Sequence, residues 1–201
     1  LMMKNQLGLF ENPFAGLGKR GKLTLYNRTK AYQMASESCV LLKNEEILPL
    51  CQKQKVIWAG PYVTSREFLS RWAIFGEHEP VETIEAILQD KKMNAECIPG
   101  CRMLSEEEYK IWQVEQDDSD EEMDEQWLET EEQQMLFEKI ANRTDNIVTV
   151  VISGRPLDLR RISEKSKAVI MAWRPGTMGA EAITDLVYGI TNPSGKLAVS
   201  I

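Results

Sequence analysis

Short apolar segments that end in glycine or proline turns recur along the chain and constrain its fold more than any other feature. Two are continuous apolar runs, at residues 56–59 and 168–173, and a third segment, at residues 147–152, is β-branched throughout. Amphipathic patterns typical of helices lie between such runs. Strands that are apolar throughout and alternate with helices indicate a parallel sheet covered on both faces. The sequence therefore predicts an α/β fold: a three-layer sandwich with a mostly parallel, flavodoxin-like sheet and helices on both faces.

Weaker patterns extend this alternation. Ala31, Ala35 and Cys39 recur at four-residue spacing, which predicts a helix that begins near Thr29. Further helices are predicted from Pro80, with Val81, Ile84, Ile87 and Leu88 on one face, and over about residues 178–188. Shorter strands are predicted at residues 40–42, 95–98 and 196–201.

Composition excludes several classes of protein. The 201 residues carry a net charge of -7, which argues against nucleic acid as a partner, because phosphate binding needs clustered Lys and Arg. No apolar stretch is long enough to span a membrane, and residues 1–10 do not resemble a signal peptide. We therefore expect no membrane contact and a cytoplasmic location, with a secreted parent protein also compatible.

Metal-ligating and nucleophilic residues are sparse. The only histidine is His78, and the four cysteines form no CxxC pair, so we expect neither a zinc site, nor a cofactor, nor a His-dependent triad. Cys97 and Cys101 flank Pro99-Gly100 and are close enough in sequence to approach each other. Reduced thiols are the preferred interpretation for a cytosolic protein.

Four motifs carry a resemblance to a known family. They are residues 7–13 (Leu-Gly-Leu-Phe-Glu-Asn-Pro), residues 35–45 followed by 48–50, residues 153–157 (Ser-Gly-Arg-Pro-Leu), and residues 172–197 with Ala-Trp-Arg-Pro-Gly and Asn-Pro-Ser-Gly-Lys-Leu. The chain resembles the C-terminal α/β sandwich domain of family 3 glycoside hydrolases of the β-glucosidase type. The resemblance covers nearly the whole chain and is weak from residue 101 to 144. It divides the chain into a linker that leaves an absent barrel (1–28) and the sandwich domain (29–201).

The motif residues also have a purely structural interpretation. Gly154, Gly176 and Gly195 follow predicted strands, where sharp turns alone require glycine. Trp173 ends a buried strand and suits either a core or an interface. We therefore interpret these motifs as framework rather than as catalytic residues.

The resemblance implies a retaining mechanism in which two carboxyl groups lie roughly 5 Å apart. It places the Asp nucleophile in the barrel and the acid/base Glu on a loop of the second domain, after a Val-rich strand and within a Ser-Gly-Glu-like motif. This sequence contains neither that strand nor that motif. A strand-loop unit of roughly thirty residues or fewer is missing near Thr130, so no catalytic residue is assigned to this chain.

An acidic run without Lys or Arg spans residues 115–132 and offers alternative acids: Glu121, Glu122, Glu125 and Glu129. A catalytic acid needs a pKa raised by burial or by a close like charge. A dense acidic run singles out none of these residues, and a solvated helix face is the preferred interpretation.

Trp72 and Phe75 are the candidate substrate-binding or interface residues. They follow the second predicted strand, in a segment that resembles one near the family's domain interface. Ligands bind at strand ends in parallel sheets, and aromatic rings suit the apolar faces of sugars. Packing against a neighbouring domain explains them equally well. The implied partners are the N-terminal barrel of the same enzyme and a β-glucoside at the interface.

Two other functions compete with the hydrolase domain. The first is a non-catalytic scaffold or carbohydrate-binding module derived from it. The second is a nucleotide-binding flavodoxin-like domain, which is disfavoured because no glycine-rich phosphate loop follows residues 56–58.

Overall fold

A computed structural model describes residues 1–14, 25–66, 68, 81–101 and 130–198. Its α-helices are α1 (Met2–Gln6), α2 (Leu25–Ser38), α3 (Ile84–Asp90), α4 (Thr130–Ala141), α5 (Arg160–Lys165) and α6 (Gly179–Val187). Its strands are β1 (Val40–Asn44), β2 (Val56–Ala59), β3 (Ala95–Ile98), β4 (Val148–Val151) and β5 (Ala168–Met171). Short 3-10 turns span Pro61–Val63 and Gly176–Met178.

Two helices begin at different residues from those predicted. Helix α2 begins at Leu25, four residues before Thr29. Ala35 is buried within it, and Cys39 is buried just beyond its end. Helix α3 begins at Ile84, because the Thr83 hydroxyl accepts a hydrogen bond from the Ala86 amide (3.0 Å) and caps its first turn. The predicted linker contains α1, whose residues are all exposed.

The described strands form two hydrogen-bonded groups, whereas the sequence predicts a single sheet. One group has the order β1-β5-β4, and the other pairs β2 with β3. The pairs β4–β5 and β2–β3 are parallel, whereas β1 runs antiparallel to β5. The mostly parallel sheet is therefore confirmed, with β1 as an antiparallel edge and a division between the two groups.

Strand β5 lies at the centre and separates two apolar clusters. All four of its residues are buried. Ile170 joins the cluster that contains α3 and α6, whereas Val169 and Met171 join the cluster beneath α5. Since successive side chains of a strand point to opposite faces, helices cover both faces, as the sequence predicts. Full burial of each such side chain contributes about 1.5–3 kcal/mol.

The predicted strand at residues 196–201 is wrong over its described part, because residues 196–198 form no strand. The Gly195 amide instead donates to the Cys39 carbonyl (3.0 Å) where α2 ends. Leu197 then packs against the cluster beneath α5. Its apolar character reflects this contact and not a place in a sheet. Residues 199–201 lie outside the described part of the chain.

The positions of the helices define how the chain winds. Helix α3 connects β2 to β3 on one face, and α5 connects β4 to β5 on the opposite face. Crossovers between parallel strands are right-handed. Helices on opposite faces therefore carry the chain in opposite directions. This is the winding of a doubly wound sheet, in which β2 and β4 would be the inner strands and the winding would reverse between them.

Candidate functional site

Three loops follow β2, β4 and β5: residues 60–63, 152–155 and 172–176. We call them the carboxyl-end loops. Ligands of open α/β sheets bind in the crevice outside the carboxyl ends of the strands, where the winding reverses. The carboxyl-end loops border this position, which makes them the candidate site.

Direct hydrogen bonds join the carboxyl-end loops. The Arg174 guanidinium donates to the Tyr62 hydroxyl (3.0 Å), which links the loops after β5 and β2. The Ser153 amide donates to the Trp173 carbonyl (3.1 Å), which links the loops after β4 and β5. These contacts also show that β2 and β5 end on the same side, and hence run in the same direction.

Trp173 has a backbone conformation that non-glycine residues rarely adopt. Its φ is 55°, in the left-handed region, and its half-buried side chain packs against the cluster beneath α5. Such a conformation costs about 1–3 kcal/mol, and residues that retain it cluster at functional sites. The structure therefore gives Trp173 both a core contact and a strained position beside the crevice.

Ser153 shapes the loop after β4. Its buried hydroxyl donates to the Arg155 carbonyl (3.0 Å) and accepts from the Arg155 amide (3.3 Å). Gly154 faces Arg174, since an added Cβ would lie 3.8 Å from that side chain. The Ser-Gly-Arg-Pro segment is thus a tight turn that lies beside the Arg174 side chain.

The two described carboxyl groups with a shifted pKa are unsuited to act as a general acid. Hydrogen bonds from Arg160 lower the pKa of Asp158 to about 2. A hydrogen bond from Lys165, helped by Arg161, also lowers the pKa of Glu138. A general acid at neutral pH needs the opposite shift. In the described residues, moreover, no group of three His, Cys, Asp or Glu side chains is placed to hold a metal ion.

A buried charged cluster lies away from the crevice. Asp185 in α6 accepts from the Tyr32 hydroxyl (2.9 Å) in α2 and from Lys91, which follows α3. Burial, with the Asp185 carboxylate next in importance, raises the pKa of Tyr32. A helix that starts at the carboxyl end of a strand runs back along the sheet. Lys91 and Asp185 lie near the ends of α3 and α6, and hence near the amino end of the sheet. The cluster holds three helices together, because its residues come from α2, from the end of α3 and from α6.

The candidate residues Trp72 and Phe75 lie outside the described residues, as do Glu121, Glu122, Glu125 and Glu129. Nearby, the buried Phe68 packs against Tyr62 with ring centroids 5.7 Å apart. Its carbonyl accepts from the Gly176 amide (3.3 Å). Phe68, four residues before Trp72 in the sequence, therefore lies beside the carboxyl-end loops.

Sequence reasoning missed Tyr62 as a site residue and regarded Arg174 as framework. Both residues follow apolar runs that end in Gly-Pro or Pro-Gly, which was the available signal. Their contact joins positions 112 residues apart, and it depends on the winding of the whole domain.

None of the described helices is both long and apolar enough to cross a bilayer.

The cysteines are free: Cys39 is buried, Cys51 exposed, and Cys97 and Cys101 half-buried. Burial first, and then Glu85 and Glu132 respectively, raises the pKa of Cys97 and of Cys101. These two thiols are therefore less nucleophilic than exposed ones.

Residues 39–201 match the family model described as the glycosyl hydrolase family 3 C-terminal domain. The periplasmic β-glucosidase of Salmonella typhimurium is 27% identical over 253 residues, covering 100% of this chain and 32% of that protein. An exo-α-(1→6)-L-arabinopyranosidase of Bifidobacterium breve is 25% identical over 201 residues, covering 85% of this chain and 26% of its own length.

A solved structure with the same fold is the β-glucosidase from Listeria innocua in complex with glucose. It has a TM-score of 0.74 and 30% sequence identity, and it is matched over 97% of this chain and 30% of its own. The chain thus spans about a third or less of the proteins that it resembles.

The alignments also reveal a difference in length. The 253 aligned positions of the Salmonella protein exceed the 201 residues of this chain by 52. A putative β-xylosidase of Formosa agariphila aligns over 230 residues and 100% of this chain, an excess of 29 positions. Both relatives therefore have residues without a counterpart here.

Proposed function

Because this chain belongs to the family 3 glycoside hydrolases, as their C-terminal domain, we propose that it completes the active site of a retaining β-glucosidase-type hydrolase. In this proposal residues 29–201 form the domain, and residues 1–28 are the linker from an N-terminal barrel. The contact between the carboxyl-end loops is the observation that carries the proposal. These loops lie where α/β sheets bind ligands, and the Tyr62–Arg174 hydrogen bond joins two of them.

The division of labour follows from retaining chemistry. A carboxylate attacks the anomeric carbon, a carboxylic acid protonates the leaving oxygen, and water then releases the sugar. In the proposal the barrel supplies the Asp nucleophile. This domain supplies the wall of the crevice, and Trp72 and Phe75 contact the β-glucoside or the barrel there.

The proposal assigns no acid/base residue to this chain. Asp158 and Glu138 are unsuited to that role, because neighbouring arginine and lysine side chains lower their pKa. Without a proton donor, hydrolysis depends on a leaving group that departs as a stable anion. The expected substrates are therefore aryl β-glucosides with acidic phenols, rather than disaccharides.

The cytoplasm is the proposed location. Free cysteines suit a reducing compartment. The periplasmic relative makes export the competing possibility, and fractionation of cells that express the parent protein separates the two.

The test fuses this chain to the barrel of the Listeria innocua β-glucosidase and replaces one arginine at a time. Arg174→Ala removes the guanidinium that bridges the carboxyl-end loops. We expect it to lower kcat/KM for 2,4-dinitrophenyl β-glucoside about tenfold, the effect of losing one important interface contact.

Arg143→Ala is the matched control, because the exposed Arg143 precedes β4 at the opposite end of the sheet. It should leave kcat/KM unchanged. Equal effects of the two variants, with both proteins folded, would contradict the proposal that the carboxyl-end loops face the active site.

A second candidate is the non-catalytic scaffold or carbohydrate-binding module. The 29 to 52 positions that relatives have in excess favour it, because they are enough for a strand and an acid/base loop. Calorimetric binding of cellobiose by the 201-residue chain, combined with no turnover in the fused enzyme, would support this candidate over the hydrolase.

A further inference from the structure

The inner strands of the two sheets each lack a neighbour on one side. Strand β2 pairs only with β3, and β4 pairs only with β5, among the described residues. The reversal of winding places these open edges towards each other. Each edge presents backbone N–H and C=O groups that a further strand would satisfy.

Burial indicates that β2 and β4 belong to one layer with a space between them. Val56 and Trp58 of β2 pack against the same apolar cluster as Val148 and Val150 of β4. All four are only half-buried, whereas every residue of β5 is buried. Inner strands of a sheet that is covered on both faces are normally buried like β5. The absence of a described strand between β2 and β4 explains this exposure.

The topology indicates which strand position has no described occupant. A flavodoxin-like sheet has five parallel strands in the order 2-1-3-4-5. The two groups fit this order if β3 and β2 take positions 2 and 1, and β4 and β5 take positions 4 and 5. Position 3 then has no described strand. The relatives have 29 to 52 aligned positions in excess, enough for such a strand and its connection. Between β3 and α4, residues 99–129 contain no run of four apolar residues that resembles β4 or β5.

We propose that the position between β2 and β4 is an open strand site, and that its occupant is an extended apolar peptide from outside residues 1–201. The peptide is rich in β-branched residues and runs parallel to both strands, with its carboxyl end at the carboxyl-end loops. It hydrogen-bonds to an edge on each side, and it packs one set of alternate side chains against the Val56, Trp58, Val148 and Val150 cluster. This inference rests on the fold and does not depend on hydrolysis.

The first test adds a synthetic peptide of about eight residues, an ordinary strand length, to the 201-residue chain. It copies the most apolar stretch among the positions of the Salmonella protein that align with no residue of this chain. The control peptide has proline at two alternate positions, which removes the N–H groups that face one edge. We expect one-to-one binding, at least tenfold weaker for the control, and slower amide exchange in β2 and β4. Equal binding of both peptides, or unchanged exchange in β2 and β4, would overturn the proposal.

The second test supplies the strand within the chain. The unaligned Salmonella segment that contains this stretch is inserted after Leu128, and a Gly-Ser insertion of equal length is the control. The Salmonella insertion should raise the thermal midpoint relative to the control. An unchanged thermal midpoint would overturn the proposal. Amide hydrogen exchange in the unmodified chain that is as slow in β2 and β4 as in β5 would also overturn it. That last result would show that the position is filled by the chain itself.

Discussion

The carboxylate of Asp185 shows how one buried residue can hold three helices together. It accepts from Tyr32 and Lys91 and is 4% exposed. Asp185→Asn removes the charge and turns an amide towards the Lys91 ammonium. We expect the free energy of unfolding to fall by about 2–3 kcal/mol, as for hydrogen bonds to charged groups, measured by urea denaturation. Asp158→Asn, at an exposed ion pair with Arg160, should change it little. Equal losses would contradict the assignment of Asp185 as the clamp.

Gly195 is required by a close backbone approach. An added Cβ would lie 2.5 Å from the Cys39 carbonyl oxygen and 2.6 Å from that of Ser38. Gly195→Ala should therefore lower the free energy of unfolding by about 1–3 kcal/mol, as overpacking does. Gly154→Ala is the matched control, because its Cβ would meet only the Arg174 side chain at 3.8 Å. A Gly195→Ala protein as stable as the Gly154→Ala protein would disprove this role.

The buried thiol of Cys39 makes stability depend on alkaline pH. Burial raises its pKa from 9.0 to about 12. The unfolded state therefore loses this proton near pH 9 while the folded state keeps it. The thiol's contribution is fully present below pH 9 and is lost as the pH rises to about 12. Across that window the unfolding equilibrium constant should rise about tenfold more per pH unit than in Cys39→Ala. The raised pKa of Tyr32 affects both proteins equally and cancels in the comparison. An unfolding equilibrium constant with the same pH dependence in both proteins would therefore contradict the role of Cys39.

At the scale of elements, the strands differ in how much support they receive. Strand β5 has neighbours on both sides and is buried on both faces. In the two-stranded β2–β3 sheet, by contrast, Ile57 and Ile98 are exposed on the outer face. We expect amides of β5 to exchange only by global unfolding, and amides of β2 and β3 to exchange at a lower free energy by local opening. Native-state hydrogen exchange measures this, and uniform protection across both groups would be the contrary result.

The elements also show what the sequence could predict. Residues 168–171 are apolar throughout, and a strand buried on both faces needs that pattern, so β5 was predictable. Leu197 was misassigned to a strand because one apolar residue packs equally well from an irregular segment. The Tyr62–Arg174 contact was not predictable, because it forms only when the loops after β2 and β5 meet.

At the scale of the whole molecule, the family and the division of the sheet lead to one expectation. A family 3 domain without its third parallel strand would also lack the loop that follows this strand, where the resemblance places the acid/base Glu. The acidic run is the remaining source of an acid. Replacing Glu121, Glu122, Glu125 and Glu129 together with Gln in the fused enzyme should leave its residual kcat on cellobiose unchanged, because departure of a sugar needs a proton whereas departure of an acidic phenol does not. A loss of about a hundredfold or more would identify one of them as the acid.

The dependence of the fused enzyme on its leaving group tests the central claim most directly. We expect the 201-residue chain alone to show no turnover. Fused to the Listeria innocua barrel, it should hydrolyse 2,4-dinitrophenyl β-glucoside. Its kcat/KM on cellobiose should fall about 10²–10⁴-fold below that of the intact Listeria enzyme, because no acid protonates the departing sugar. Turnover by the chain alone, or undiminished hydrolysis of cellobiose by the fusion, would contradict the account.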